Sequence, residues 1–196
     1  MLNSYLIVLN YTLEVSEFKK AGDSSLMSSN GNESLVAVVM GSKSDLGIMQ
    51  PALDRLADLK ISYEVDIMSA HRSPSRVSDY ASSLHARGVM AIIAGAGSAA
   101  HLAGVIAAHT IIPVIGVPVA ATKLNGMDSL LSVVQMPAGI PVATVGIDNA
   151  DNAALLAAQI VAFKLPGLSD RLYSHKAAME EKVDAASKSA ARSEKF

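Results

Sequence analysis

The chain has 196 residues, 51% of them apolar and 17% charged, enough for one domain with a sizeable buried core. Its formal net charge of -2, without any long lysine or arginine run, argues against an electrostatic nucleic-acid or membrane surface. With no cysteine there is no disulfide framework, thiol nucleophile or thiolate metal site, which suits a cytoplasmic protein whose partners are small molecules and copies of itself.

Residues 1–34 read as a loosely ordered extension. The apolar run Tyr5-Leu6-Ile7-Val8-Leu9 is too short to span a bilayer and lacks both a basic flank and a small-residue cleavage site, and residues 20–33 are rich in Ser, Asn and Gly. Met27 is a candidate start of the native chain. From Leu35 onward, strands are expected over 36–40, 63–68, 90–94, 113–117 and 141–147, alternating with helices over 45–59, 74–87, 99–109, 128–135 and 152–164. Such alternation implies a parallel sheet with helices on both faces and right-handed crossovers. The expected fold is α/β, a three-layer doubly wound sandwich, flavodoxin-like in size, with the catalytic domain over 35–164. Residues 165–196 follow as a charged helical tail beyond Pro166-Gly167.

Residues 88–122 hold no Asp, Glu, Lys or Arg, yet Gly97, Gly104, Pro113 and Pro118 interrupt the run too often for a membrane helix. Two strands buried on both faces account for much of it. The helix expected over 99–109 has almost no polar side, and its alanines and glycine permit close approach, so packing against another subunit is expected.

Ligands of open α/β sheets bind at the carboxyl ends of the strands, so the segments there carry the candidate chemistry. Ser69-Ala70-His71-Arg72 follows the second strand. Histidine is suited to moving a proton near neutral pH, and the forked donors of arginine to holding a phosphate or carboxylate. A solvated histidine and an arginine paired with a carboxylate are the plainer alternatives. Gly41-Ser42-Lys43-Ser44-Asp45, in the first strand-to-helix turn, offers a phosphate its helix-start amides and the Ser42 and Ser44 hydroxyls. Ser44 or Asp45 as a simple helix cap is the alternative, and the two roles are compatible. The turn lacks the Gly-Lys-Ser/Thr ending of a triphosphate-binding loop.

Gly95-Ala96-Gly97-Ser98-Ala99-Ala100 matches the G-x-G-x-x-G/A dinucleotide pattern, but the acidic residue expected about 20 positions later is missing, since Ile115-Gly116-Val117-Pro118 stands there. The glycines still supply backbone that approaches a flat ligand closely. His101, just inside the following helix, is either a ligand or a structural histidine. Between Asn125 and Pro141, Asp128 reads as a helix cap and Met136-Pro137 as a packing loop.

Met40-Gly41-Ser42-Lys43-Ser44-Asp45, Ser69-Ala70-His71-Arg72-Ser73-Pro74, Ala94-Gly95-Ala96-Gly97, Ala99-Ala100-His101-Leu102, Asp128-Ser129-Leu130-Leu131-Ser132, Val134-Gln135-Met136-Pro137-Ala138-Gly139 and Asn152-Ala153-Ala154-Leu155-Leu156-Ala157 are matched as a set. In this order and spacing the chain resembles the class I PurE family, the N5-carboxyaminoimidazole ribonucleotide mutases of purine biosynthesis. The match runs from Leu35 to Phe163.

The resemblance implies transfer of a carboxylate from the exocyclic nitrogen of an aminoimidazole ribonucleotide to ring carbon C4, in a homo-octamer, without metal, ATP or organic cofactor. It places Ser42, Ser44 and Arg72 on the 5′-phosphate, Asp45 on the ribose hydroxyls and His71 as general acid/base. Ser69 and Ala70 then face a glycine-rich wall from Gly95 to Ser98 around released CO2. Gly97, Ser98, His101 and Leu102 complete the substrate contacts, with the Met136-Pro137 loop as a lid or a neighbour's wall. Relatives carry glycine where Ser98 stands, proline where Ala103 stands and commonly an aromatic residue where Leu46 stands, departures that bear on rate and geometry more than on reaction type. Two other functions fit part of the pattern. One is a class II carboxylase using free CO2, against which the retained Ala99 to Leu102 and Asp128 to Gly139 segments speak. The other is a non-catalytic nucleotide- or flavin-binding module, since fold alone does not fix function.

Overall fold

A computed structural model describes residues 34–193, so residues 1–33 of the expected extension lie outside the described residues. In chain order the elements are β1 (Val36–Met40), α1 (Leu46–Asp58), β2 (Tyr63–Ile67), α2 (Pro74–Leu84), β3 (Ala91–Gly97), α3 (Leu102–Ala108), β4 (Val114–Val119), α4 (Met127–Val134), β5 (Ala143–Thr144), α5 (Ala150–Val161) and α6 (Leu168–Ser193). The strands form one 5-stranded sheet in the order β2-β1-β3-β4-β5, every pair parallel. No helix among the described residues is long and apolar enough to cross a membrane.

The chain steps from β1 to one side, then back past it to β3, β4 and β5. With right-handed crossovers that reversal moves the helices from one face to the other. Accordingly α1 and α5 cover one face together with Leu168 of α6, while α2, α3 and α4 cover the other. Strand periodicity serves both layers: Val36, Val38 and Met40 of β1 enter the first core, Ala37 and Val39 the second. A strand buried on both sides needs apolar residues at every position, which accounts for the charge-free character of β3 and β4. Edge strand β2 instead carries Glu64 and Asp66. Glu64 bonds Tyr80 and Arg87, and Asp66 is gripped by Arg76, so charged side chains occupy the edge strand, which disfavours pairing with another chain.

Several boundaries differ from the sequence expectation for identifiable reasons. The strand expected over 141–147 shrinks to two residues, Ala143–Thr144, at the sheet edge. β4 runs on through Pro118 to Val119, because the missing N–H of Pro118 faces the side where β5 has already ended. The helix expected over 99–109 begins only at Leu102: Ser98 has a left-handed backbone (φ 60) and the Ala100 N–H turns back to Gly97 O. Within this helix Leu102, Ala103 and Ile106 are buried against the chain's own sheet, and Met136 lies over Gly104, so intramolecular packing already covers one side. At the C-terminus, Leu168 is fully buried and Leu172 packs on the same core, while Arg55 of α1 bridges to Asp151 of α5 at 2.7 Å and faces His175 of α6.

Gly95 sits where β1 and β4 flank β3, directly under Met49 of α1. A Cβ at this position would lie 2.3 Å from the Met49 sulfur, itself fully buried. Gly95→Ala is therefore expected to destabilise the fold by about 1–3 kcal/mol in urea unfolding. Combined with Met49→Ala it should cost less than the sum of the two single changes, because the truncated side chain vacates the space the new methyl needs.

Candidate active site

β1 and β3 are neighbours whose connections leave in opposite directions, and ligands of such sheets bind in the crevice at that switch point. A cleft of about 340 Å³ opens there, at the lower end of the range of small-molecule sites. Of the residues singled out from the sequence, Ser42, Ser44, Asp45, Ser69, Ala70, His71, Arg72, Gly97, Ser98, His101 and Leu102 line it. Gly41, Ala96, Ala100 and Ala121 join them. Gly95 does not belong to this lining; its carbonyl accepts from the Gly41 N–H at 3.0 Å, and its lack of a side chain serves Met49. Met136 is likewise not part of the cleft of its own chain.

The first wall is the turn after β1. Ser42 caps a short 3-10 turn, Lys43–Asp45, its hydroxyl accepting from the Ser44 N–H at 3.3 Å. The Ser44 hydroxyl lies 2.9 Å from Ser42 Oγ and 3.2 Å from Asp45 Oδ1. Capping thus uses one acceptor position of Ser42 and leaves both hydroxyls at the cleft surface. Asp45 is buried, with 5% of its surface exposed. Burial pushes its carboxyl above the ordinary aspartate value of 3.8, opposed by hydrogen bonds from Ser44 and the Ser42 backbone and by the charge of Arg72.

The second wall follows β2. Ser69 and Ser73 bind each other reciprocally: the Ser69 N–H donates to Ser73 Oγ at 3.1 Å, while the Ser73 N–H and hydroxyl donate to the Ser69 carbonyl at 2.9 and 3.1 Å. Ser69 Oγ also accepts from the Arg72 N–H at 3.2 Å. This tight turn throws His71 and Arg72 outward, both exposed, before Pro74 opens α2. Arg72 reaches across to the β1 turn, where Nη2 donates to the Gly41 carbonyl at 3.0 Å, leaving its other donors for a ligand.

The third wall is the β3 end and the start of α3. His101 Nδ1 lies 2.7 Å from His71 Nε2, with ring centroids 4.8 Å apart and planes at 74°. At that separation one nitrogen carries a hydrogen and the other accepts it, so the contact fixes the orientation of His71. The loop from β4 presses on Gly97, where a Cβ would fall 2.5 Å from Ala121 Cβ and 3.1 Å from the Val119 carbonyl. Only glycine fits. Ala121 escaped sequence analysis because alanine carries no chemistry; only its position beyond the end of a central parallel strand could have singled it out.

The family model described as AIR carboxylase matches residues 35–182. The chain belongs to the AIR carboxylase family. Among its relatives, the N5-carboxyaminoimidazole ribonucleotide mutase of Pyrococcus horikoshii is 51% identical over 159 residues, covering 81% of this chain and 90% of that protein. The mutase of Escherichia coli is 50% identical over 80% of this chain and 94% of its own length. The crystal structure of Treponema denticola PurE superposes with a TM-score of 0.70 at 28% identity, covering 76% of this chain and 94% of that one. These agree with the resemblance drawn from the motifs. Ser98 itself holds a left-handed backbone, with φ 60, a conformation that glycine adopts without steric cost.

A buried carboxyl whose titration is shifted upward stabilises the fold only when protonated, so stability falls as pH rises from 3.8 through the raised value. Asp45→Asn keeps an oxygen acceptor for Ser44 and never ionises. In thermal melts this variant is expected to be more stable than the wild type at pH 7, with the difference shrinking as the pH approaches 4.

Proposed function

We propose that this member of the AIR carboxylase family is a cytoplasmic isomerase of purine biosynthesis, converting N5-carboxyaminoimidazole ribonucleotide to 4-carboxy-5-aminoimidazole ribonucleotide. The observation that carries the reading is the convergence, on one cleft, of an outward-facing histidine with two hydroxyls and a guanidinium suited to a phosphate. Relatives about half identical over most of the chain carry the mutase name.

In this reading Ser42, Ser44 and Arg72 hold the 5′-phosphate, and Asp45 accepts from the ribose hydroxyls. Protonated His71 donates to the exocyclic nitrogen as the N–C bond of the carbamate breaks, leaving a neutral aminoimidazole and CO2. Ring carbon C4 attacks the CO2 to form the new C–C bond. His71, now neutral, removes the C4 proton and restores the aromatic ring, so a single group serves both halves without net gain or loss of protons. The backbone of Ala96, Gly97 and Ser98 opposite Ser69 and Ala70 keeps water from the CO2 and offers N–H donors to its carboxylate forms. His101 and Leu102 orient His71 and close the ring end.

Assembly into a homo-octamer belongs to the same reading. Leu124 just before α4 and Met127, Leu131 and Val134 along it are exposed apolar side chains, and Ile111 and Phe163 are 85% and 95% exposed. Contiguous apolar surface of this kind marks a contact site. A neighbour's Met136-Pro137 loop then supplies the wall that the chain's own loop does not. Light scattering is expected to give the mass of eight chains; a monomer would remove that wall from the scheme.

The decisive assay supplies N5-carboxyaminoimidazole ribonucleotide without added bicarbonate. Conversion to the C4-carboxylated product is expected, whereas carboxylation of bare aminoimidazole ribonucleotide as the only efficient activity would make the protein a carboxylase. His71→Asn should lower kcat by about 10²–10⁴ while leaving ribonucleotide affinity near wild type. Loss of affinity with unchanged kcat would remove His71 from the proton path.

A further inference from the structure

β4 outruns its partner. On the side facing β5, the Gly116 carbonyl takes the Val145 N–H at 3.1 Å, but β5 itself ends at Thr144. The next group on that side, the Pro118 carbonyl, accepts from the Asp148 N–H at 2.9 Å, and the one after it, the Ala120 N–H, donates to Asp148 Oδ1 at 2.9 Å. One residue thereby continues the ladder with its main chain and its side chain in turn. It can do so because its backbone is left-handed, with φ 56, a conformation that aspartate and asparagine adopt more readily than most residues.

Beyond this clamp the Ala121 N–H turns back to the Val119 carbonyl at 3.0 Å, and that carbonyl also receives the hydroxyl of fully buried Ser129 at 2.9 Å. The Thr122 hydroxyl donates to Asp128 Oδ2 at 2.8 Å. The segment 118–122 is thus fixed at successive residues, and the part of it that lines the cleft is Ala121, pressed on Gly97. Asp148 also stands two residues before α5. Helix capping there is performed by Asn149, whose side chain accepts from the Asn152 N–H at 3.2 Å, leaving the Asp148 carboxylate to Ala120.

We propose that Asp148 is a positioning residue of the active site, its carboxylate replacing the strand partner that β5 fails to supply and holding Ala121 as a wall of the substrate cleft. The kinetic consequence rests on the mutase reading above; the structural one does not. Asp148→Gly keeps the left-handed backbone and the main-chain bond but removes the acceptor. Asp148→Asn keeps all three, losing only the charge.

The test compares both variants with the wild-type full chain by steady-state kinetics on N5-carboxyaminoimidazole ribonucleotide and by hydrogen exchange of peptides covering residues 118–124. The glycine variant is expected to raise KM about tenfold and to exchange faster across this segment, since small displacements of a positioning wall are felt at the substrate. The asparagine variant is expected to restore both. An unchanged KM in the glycine variant would overturn the proposal even if its melting temperature fell, and so would an asparagine variant as impaired as the glycine one, which would make the charge at the start of α5 the operative feature. If the wild type does not turn over this substrate, the mutase reading fails by itself, and unchanged exchange in the glycine variant would still refute the clamp.

Discussion

The reversal of chain direction between β1 and β3 is the constraint on which the rest of the molecule depends. Because the crossovers on either side of that point depart in opposite directions, neither crossover helix passes over the carboxyl ends of these two strands, and the loops that follow them stand apart. The turn after β1, the turn after β2 and the start of α3 all open onto the gap. The same reversal places α1 and α5 on one face and α2, α3 and α4 on the other, so the sheet that carries the cleft is rigidly packed from both sides. Loops on such a support can hold side chains in conformations that a free peptide would not adopt.

The cleft combines features that oppose stability. Asp45 is buried with its carboxyl pushed upward, and Ser98 occupies left-handed space without being glycine. His71 and Arg72 project outward with part of their hydrogen-bonding capacity unused by the fold. Such features persist because their surroundings over-determine them: the paired serines 69 and 73 hold one turn, and the contact with His101 holds the His71 ring. Stability is yielded at the groups that a ligand would compensate, while the cores behind them are almost wholly apolar.

Glycine plays different parts at positions that look equivalent in the chain. Gly95 and Gly97 belong to one sequence motif, yet the first makes room for the Met49 side chain beside the sheet and the second for Ala121 and the end of β4 beside the cleft. A pattern of glycines reports that something comes close, without reporting what. The same holds for Pro118: in sequence it reads as a break, but beside a strand that has already ended its missing N–H costs the sheet nothing.

The sequence by itself determined the alternation of strands and helices, the doubly wound class and the residues at strand ends that bring hydroxyl, guanidinium and imidazole groups to one edge of the sheet. Those follow from local periodicity and from the polarity of parallel strands, both written in consecutive residues. Tertiary structure alone decided which glycine faces what, that β4 passes through Pro118 while β5 stops after two residues, and that His71 meets His101 from 30 positions away. It also brought Ala121 to the cleft and Asp148 to the end of β4, separated from Ala120 by 28 positions. The physical reason is common to all of these: each depends on where one strand ends relative to its neighbour, and that register is set by the packing of the whole sheet rather than by any segment's own preference.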